Sequence, residues 1–297
     1  MNILLFGKTG QVGWELQRSL ACIGVVTAPG RSGIPCGDLA DPQGVATTIR
    51  QLRPDVVVNA AAYTDVDRAE REPLLARTVN ALAPGAMALA AHEVGARMVH
   101  YSTDYVFDGS GQRPWFETDL PAPLNVYGTT KLEGERRVAS GCARHLIFRT
   151  SWVYSGKEGN FARKILGLAL ERDSLQVVDD QIGAPTPADL IADITASALR
   201  DAPGMEGIYH LAARGETSWY GYARLVVQAA TSAGLPVRAG LDALTPVPSS
   251  AYPAAARRPL NSRLDTARLR AAMTVELPDW RDGINRMLGK TFREVLQ

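Results

Sequence analysis

This chain has few cysteines and histidines and almost no net charge. The three cysteines, at positions 22, 36 and 142, are widely spaced and contain no Cys-x-x-Cys pair, so the sequence indicates neither a disulfide framework nor a zinc site. The four histidines are scattered without the spacing of metal ligands. A net charge of +1 over 297 residues gives no electrostatic reason to expect nucleic acid or a membrane surface as a partner.

The first residues also lack the features of a leader or a membrane segment. They run directly into a short apolar stretch, with no basic region and no apolar run long enough for a signal peptide or a membrane span. The composition, 46% apolar and 21% charged, is typical of a globular protein. We therefore expect a cytoplasmic protein, long enough for one large domain with a smaller lobe.

The first half of the chain alternates strand patterns with helix patterns. Apolar, β-branched runs predict strands at 3–6, 25–28, 55–59, 97–102 and 145–149. Helices are predicted after residue 13, from Pro42 towards 52, over 81–94 and over 127–138. This alternation predicts an α/β fold with a Rossmann-type doubly wound parallel sheet. We expect a dinucleotide-binding domain over 1–150, to which some later segments return, and a smaller mixed α/β substrate lobe over most of 151–297.

Three glycines predict a tight turn between the first strand and the first helix. Gly7, Gly10 and Gly13 have the spacing G-x-x-G-x-x-G, with Gln11 and Val12 between the last two. Such a turn lets the backbone approach a pyrophosphate, which then lies at the N-terminus of the helix. Its position in a βαβ unit predicts a dinucleotide site.

The end of the second strand bears on which dinucleotide binds. An acidic residue that holds the ribose of NAD is expected there, but residues 28–30 provide none and Arg31 follows. An arginine can pair with the 2′-phosphate of NADPH, so the sequence favours NADPH; a solvated loop arginine is an equally good interpretation. Asp38 and Leu39, in the next loop, are candidates for contacting the adenine.

Tyr127 and Lys131 are candidates for acid–base chemistry. The i, i+4 spacing places both side chains on one helix face, where the ammonium favours the phenolate and lowers the pKa of the tyrosine. A tyrosine of lowered pKa can donate a proton near neutral pH. Upstream, a hydroxyl of Ser102 or Thr103 can bind a substrate carbonyl. These two alternate along an extended segment, and the local pattern does not choose between them.

Other candidate ligands of a substrate come from the same cleft and from a proline-rich segment. Segments that follow parallel strands converge at one edge of the sheet, which places 60–64 and 102–105 near the glycine turn. Trp152 follows the fifth strand and offers a ring and an N–H to a substrate, or else it packs as a core residue. Arg257 lies between prolines and can reach a diphosphate, although adjacent arginines are more often solvated surface.

Together these motifs resemble the extended short-chain dehydrogenase/reductase superfamily. The matching stretches are the glycine turn, Asn-Ala-Ala-Ala at 59–62, Ser-Thr-Asp-Tyr-Val-Phe at 102–107 and Tyr-Gly-Thr-Thr-Lys at 127–131. Stretches at 2–13, 62–70, 148–154, 183–186 and 256–259 are similar to the dTDP-4-dehydrorhamnose reductase family. That resemblance implies reduction of the C4 ketone of dTDP-4-dehydro-L-rhamnose to dTDP-L-rhamnose, the last step in making this sugar donor, with NADPH and often NADH.

The resemblance also implies roles for particular residues. The catalytic triad falls on Thr103, Tyr127 and Lys131. The cofactor contacts, together with Tyr127 and Lys131, are expected at Gly7, Gly10, Gln11, Val12, Gly13, Arg31, Asp38, Leu39, Ala60, Ala61, Ala62, Tyr63 and Thr64. The sugar-nucleotide contacts are expected at Asp104, Tyr105, Trp152 and Arg257. Some members of the family form a homodimer through magnesium, for which Glu15 and Asp189 are relevant positions. Asp189 is shorter than the glutamate expected there, so no metal site is assigned.

Two alternatives stay open at this point. Epimerases and dehydratases of the same superfamily act on similar sugar nucleotides, but they retain the cofactor through the catalytic cycle. A dehydratase also needs further acid–base residues, and Asp104-Tyr105 after Thr103 offers no obvious support for one. A non-catalytic partner protein, such as the related regulatory subunit of methionine adenosyltransferase, is opposed by the intact Thr103, Tyr127 and Lys131 set.

Overall fold

The structure is a computed structural model, and it describes residues 1–156, 159–252 and 254–296. The strands are Asn2–Phe6 (β1), Val25–Thr27 (β2), Val56–Asn59 (β3), Arg97–Thr103 (β4), His145–Thr150 (β5), Val153–Tyr154 (β6), Leu175–Val178 (β7), Ile182–Gly183 (β8), Thr186–Pro187 (β9), Gly207–His210 (β10), Thr217–Ser218 (β11) and Leu244–Val247 (β12). The helices are Gln11–Ala21 (α1), Pro42–Leu52 (α2), Val66–Arg71 (α3), Pro73–Arg77 (α4), Ala83–Glu93 (α5), Val126–Gly141 (α6), Phe161–Glu171 (α7), Ala188–Asp201 (α8), Trp219–Ser232 (α9), Ala267–Met273 (α10) and Trp280–Leu296 (α11).

A six-stranded parallel sheet with helices on both faces forms the frame of the molecule. Its strand order is β10-β5-β4-β3-β1-β2, and every neighbouring pair is parallel. The Rossmann-type α/β fold predicted from the sequence is therefore confirmed. Strand β10 lies beyond residue 150 and pairs with β5, with Gly207 opposite Leu146. The second half of the chain thus contributes one edge of this sheet.

Both faces of the sheet are buried, which explains why its strands are apolar throughout. On one face, Ile3 and Leu5 pack with residues of α1 and α8. On the other face, Leu4 and Phe6 pack with residues of α2 and α5. Successive side chains of β1 thus belong to different halves of the core, as the period of a strand requires.

Five helices begin at a side chain that caps them: α2, α3, α6, α7 and α9. Asp41 caps α2 by accepting a hydrogen bond from the Gly44 N–H at 2.9 Å. Helix α8 lacks such a cap, because its N-cap position is Pro187. The Thr186 hydroxyl instead donates to the Ala184 carbonyl at 3.0 Å, and its residue pairs in a short strand with Val153.

One helical run is long and apolar enough to span a bilayer by length and composition alone. This run, Pro73–Glu93, joins α4 to α5 through a π-helical turn at Thr78–Leu82, and 56% of its apolar window is buried inside the protein. It packs against α2 and α6 and supplies buried alanines to the core beneath the sheet. Its burial identifies it as a core helix.

A second apolar core lies under α7, α9 and α11. Tyr222 and Val226 of α9 pack there with Ile284 of α11 and Leu166 of α7. The paired strands β7 and β12 lie at the same core, with Leu175 opposite Leu244. This core supports one wall of the larger cavity described below.

Candidate active site

The glycine turn brings the backbone of the first strand and the first helix unusually close together. Gly7 has a φ of +88°, and a Cβ there would lie 2.6 Å from the Ala61 nitrogen. A Cβ on Gly13 would lie 2.0 Å from the Gly7 carbonyl oxygen. Gly10 occupies the N-cap position of α1 and has no side chain to fill it. The first N–H groups of α1 are therefore available to an anion, as a pyrophosphate site requires.

A cavity of about 490 Å³ opens beside this turn. Of the predicted cofactor contacts, the cavity is lined by Gly7, Arg31, Asp38, Leu39, Ala61, Ala62, Tyr63 and Thr64. The other turn residues (Gly10, Gln11, Val12 and Gly13) and Ala60 lie next to these in the chain but do not line it. The Asp38 carboxylate accepts a hydrogen bond from the Ala40 N–H at 3.0 Å, which fixes the loop in which it lies.

Two cationic side chains at this cavity were missed by sequence reasoning. Lys8 and Arg68 line it together with Arg31. The Lys8 ammonium donates to the Ala28 carbonyl at 2.9 Å, so it is held at the end of the second strand. This is the position where an acidic residue would hold the ribose of NAD. Lys8 lies inside the glycine motif, and its charge there was the signal that could have found it.

A buried asparagine fastens the rim of this cavity to helix α6. The Asn80 side chain accepts from the Tyr63 N–H at 2.8 Å and donates to the Tyr63 carbonyl at 3.1 Å. The same amide nitrogen lies 3.1 Å from the Thr130 hydroxyl. Thr130 precedes Lys131 on α6, so the 62–64 segment and the candidate catalytic helix are held in one arrangement.

Thr103, rather than Ser102, contacts Tyr127. The Thr103 hydroxyl accepts from the Tyr105 N–H at 3.2 Å and donates to the Asp104 carboxylate at 3.1 Å. Burial raises the pKa of Tyr127 to about 12, and a hydrogen bond with Thr103 acts in the opposite direction. The Ser102 hydroxyl is buried on the other side of the strand, without a hydrogen-bond partner among the described residues.

Lys131 is fully buried on the same helix as Tyr127. Its ammonium donates to the Tyr101 carbonyl at 2.5 Å, and burial lowers its pKa to about 8 although Glu135 opposes this change. The expectation that Lys131 brings the pKa of Tyr127 below its ordinary value is wrong for this structure, because burial of the phenol outweighs all favourable contacts. The Lys131 charge is directed to a backbone carbonyl instead.

Asp104 and Tyr105 lie at the same site. Asp104 is buried, and burial raises its pKa to about 7 although Ser262 and Thr103 hydrogen-bond to it. The Tyr105 ring packs edge-on against the Tyr127 ring, with centroids 5.6 Å apart. Asp104 and Tyr105, which are predicted to contact the sugar, therefore touch Thr103 and Tyr127, which are predicted to be catalytic.

Trp152 is one half of a stacked tryptophan pair. Its ring lies on the Trp219 ring with centroids 3.7 Å apart, and its own φ is +47°, which is uncommon for a bulky residue. The Trp219 indole N–H donates to the Gln181 side chain at 3.0 Å. A Cβ on Gly183 would lie 2.8 Å from the Trp152 ring. Trp219 and Gln181 escaped sequence reasoning, because only the fold brings them next to Trp152.

A second and larger cavity, of about 1360 Å³, lies beside this pair. Four cationic residues line it: Lys164, Arg172, Arg257 and Arg258. None of the lining residues is acidic in the part of the chain that the structure describes. Trp219 and Phe161 add aromatic surface. Positive charge next to flat aromatic rings suits a nucleotide diphosphate with its base.

Helix α3 separates the two cavities. Arg68 of this helix lines the smaller cavity. The neighbouring Asp67 accepts a hydrogen bond at 2.6 Å from Arg258, which lines the larger one. Glu70 of α3 accepts a hydrogen bond at 2.8 Å from the Val126 N–H at the start of α6, so α3 also contacts the helix that carries Tyr127, although Tyr127 itself lines neither cavity.

The acidic positions considered for magnesium do not form a metal site here. Glu15 lies 3.7 Å from the Arg18 guanidinium, and Asp189 accepts from Arg286 at 2.5 Å. Among the described residues, no group of three or more His, Cys, Asp or Glu side chains is arranged to hold a metal ion.

Known proteins share both the sequence and the fold of this chain. A family model described as the RmlD substrate binding domain matches residues 1–292. The dTDP-4-dehydrorhamnose reductase of Escherichia coli (strain K12) is 56% identical over 296 residues, which covers 98% of each chain. A crystal structure of a dTDP-4-dehydrorhamnose reductase from Clostridium acetobutylicum has a TM-score of 0.89 at 32% identity and covers 98% of this chain and 99% of that chain. The dTDP-4-dehydrorhamnose reductase of Bacillus anthracis, solved in complex with NADP, has a TM-score of 0.87 at 31% identity, with coverage of 97% and 99%.

Proposed function

The chain belongs to the dTDP-4-dehydrorhamnose reductase family, and from this premise we propose that it reduces the C4 ketone of dTDP-4-dehydro-L-rhamnose to dTDP-L-rhamnose with NADPH. The observation that carries the proposal is the pair of cavities on either side of α3, with Thr103, Tyr127 and Lys131 on and beside α6, a helix that hydrogen-bonds to α3 through its Val126 N–H. One cavity suits a dinucleotide and the other a sugar nucleotide. The 56% identity to the reductase of Escherichia coli (strain K12) supports the same conclusion.

The residues around the smaller cavity fit NADPH. The glycine turn is so tight that Gly7 and Gly13 leave no room for a Cβ, and the start of α1 offers free N–H groups to a pyrophosphate. Lys8 and Arg31 supply positive charge at the end of β2, where the 2′-phosphate would lie. Bound NADPH supplies the hydride that reduces the ketone.

The protein's own residues complete the reaction by handling charge and protons. Tyr127 donates its phenolic proton to the oxygen that becomes negative at C4. Thr103 donates a hydrogen bond to the same oxygen and thereby stabilises its developing charge. Lys131, whose ammonium is positioned by the Tyr101 carbonyl, supplies the positive charge that holds the ribose of the nicotinamide, as the family resemblance implies. Trp152 and Trp219 form an aromatic wall for the sugar nucleotide.

The cationic residues also support a preference for NADPH over NADH. Residues 28–37, directly after β2, offer no carboxylate for the ribose of NADH, while Lys8 and Arg31 offer charge for a phosphate. We place the enzyme in the cytoplasm, since both proposed ligands are water-soluble nucleotides. A homodimer is consistent with the resemblance, and light scattering of the purified protein tests it. The division into a cofactor domain over 1–150 and a substrate lobe over most of 151–297 belongs to the same proposal.

The test is consumption of NADPH, followed at 340 nm, with dTDP-4-dehydro-L-rhamnose made in situ by the upstream epimerase. The wild-type chain should oxidise NADPH only when the sugar is present and should yield dTDP-L-rhamnose. Tyr127→Phe, which keeps the ring and removes the proton, should bind NADPH and turn over far more slowly. Absence of turnover by the wild-type chain, with the ketosugar demonstrably present, would remove the proposal.

A further inference from the structure

A segment from the C-terminal half of the chain crosses the candidate active site. This segment, called the strap, consists of residues 256–262. The Asn261 N–H donates to the Gly109 carbonyl at 3.1 Å, and the Leu260 carbonyl accepts from the Ile182 N–H at 2.8 Å. Ser262, at the end of the strap, donates its N–H to the Ile182 carbonyl at 2.8 Å. The strap is therefore fastened at several points along its length.

Asp67 fastens the beginning of the strap to helix α3. Its carboxylate accepts from the Ala256 N–H at 3.0 Å and from the Arg258 guanidinium at 2.6 Å. The two side chains of this ion pair are 38% and 29% exposed, so solvent screens the pair only in part. The carboxylate is ionised at neutral pH, because these hydrogen bonds hold the pKa of Asp67 below its ordinary value.

Asn125 fastens the same segment to the candidate catalytic helix. Its amide nitrogen donates to the Arg257 carbonyl at 2.7 Å, and its amide oxygen accepts from the Gly128 N–H at 2.8 Å. The second bond caps α6, the helix that carries Tyr127. One buried side chain therefore joins the start of the catalytic helix to the backbone beside Arg257.

Both fastened arginines line the larger cavity, and Tyr127 lies two residues after Asn125. The side chains of Asp67 and Asn125 thus set the distance between these arginines and the proton donor Tyr127. We propose that Asp67 and Asn125 are positioning residues that hold the strap so that a sugar nucleotide bound by its diphosphate presents its ketone to Tyr127. This inference rests on the proposed function.

Neither positioning residue needs to touch a ligand to act in this way. Asp67 neutralises part of the charge of Arg258, but it also fixes the direction of that guanidinium, which would otherwise have many rotamers. Fixing it before binding lowers the entropic cost of ordering it on the diphosphate. The same argument applies to Arg257, whose backbone is held while its side chain faces the cavity.

Two substitutions separate positioning from folding. Asp67→Asn keeps the shape of the side chain and removes its charge. Asn125→Asp keeps a good helix cap but removes the amide donor to the Arg257 carbonyl. In each variant we expect the KM for the dTDP-sugar to rise about tenfold, because a charge-assisted or buried hydrogen bond is lost, while the KM for NADPH stays within about twofold.

A matched control is Asp119→Asn. Asp119 likewise accepts from a guanidinium, Arg113, at 2.7 Å and from a backbone N–H, that of Phe116, at 2.8 Å. It lines neither cavity. This variant should leave both KM values within about twofold, so any loss from general destabilisation is recognised by comparison with it.

Two further measurements test the positioning role of Asp67 and Asn125. Binding of dTDP itself, measured by titration calorimetry, should weaken about tenfold in both variants, which tests the inference even if the chain fails to reduce the ketosugar. Combining Asp67→Asn with Arg258→Met should cost no more than Arg258→Met alone, since the two side chains act as one unit. Equal changes in the KM for NADPH and for the sugar, or additive effects of Asp67→Asn and Arg258→Met, would overturn the inference.

Discussion

Substitution of Lys8 by methionine should reduce the preference of the enzyme for NADPH. Methionine keeps most of the length of the side chain and removes the ammonium, which in the structure is held at the end of β2 by the Ala28 carbonyl at 2.9 Å. The 2′-phosphate is the only chemical difference between the two cofactors. A residue that binds this phosphate should therefore affect catalysis with NADPH and have little effect with NADH.

The expected size follows from charge and exposure. A hydrogen bond between charged groups contributes about 1.5–3 kcal/mol when it is well shielded from water. The cavity at Lys8 is open to solvent, and exposed ion pairs contribute about 0–1 kcal/mol. An intermediate value of about 1.4 kcal/mol corresponds to a tenfold change. We therefore expect Lys8→Met to lower kcat/KM for NADPH about tenfold and to leave kcat/KM for NADH within about twofold.

The assay measures kcat/KM for each cofactor at saturating ketosugar. For the wild-type chain, the ratio of kcat/KM for NADPH to kcat/KM for NADH should fall as salt is added, because ions screen the exposed pair of Lys8 and the 2′-phosphate. Lys290→Met serves as a control, since Lys290 is exposed on α11 and lines neither cavity. Equal losses with NADPH and NADH would refute the reasoning and would instead indicate that Lys8 supports the glycine turn.

Three other outcomes follow from the geometry. Tyr127→Phe should lower kcat by about 10²- to 10⁴-fold, the usual contribution of a general acid, with NADPH binding by fluorescence unchanged. Burial lowers the pKa of Lys131 to about 8, so its positive charge is lost as the pH rises through that value. In a pH–rate profile, kcat/KM should therefore fall on the alkaline side near pH 8, and Lys131→Met should lack this fall. Arg149→Met leaves the buried Glu135 carboxylate without the guanidinium that lies 2.7 Å from it, which should lower the free energy of unfolding in urea by about 3–5 kcal/mol; an unchanged midpoint would contradict this.

The sequence predicted the frame of the molecule because the information for it is local. The strand at 3–6 and the helix that begins at Pro42 depend on periodicity and on contacts within a few residues, and both appear in the structure. The glycine motif and the spacing of Tyr127 and Lys131 are likewise local patterns. The local pattern did not choose between the hydroxyls of Ser102 and Thr103 as the group that faces the site. In the structure, Thr103 contacts Tyr127.

The residues that sequence reasoning missed depend on contacts between distant parts of the chain. Asp67 and Ala256 are 189 positions apart, and nothing in the composition of either segment pairs them. Trp152 meets Trp219, and Trp219 meets Gln181, only because the fold brings together segments that are distant in the sequence. The pKa of Tyr127 was predicted from a neighbouring charge, whereas burial, which a sequence does not display, determines its direction.

The most direct test of the proposed reaction is to follow a labelled hydrogen into the product. NADPH carrying deuterium at the transferable position of its nicotinamide should be supplied with dTDP-4-dehydro-L-rhamnose and the wild-type chain. We expect one deuterium in dTDP-L-rhamnose, located at C4 by NMR, and one NADP formed for each sugar reduced. A product without deuterium at C4, or turnover that forms no NADP, would contradict reduction of the C4 ketone by this chain.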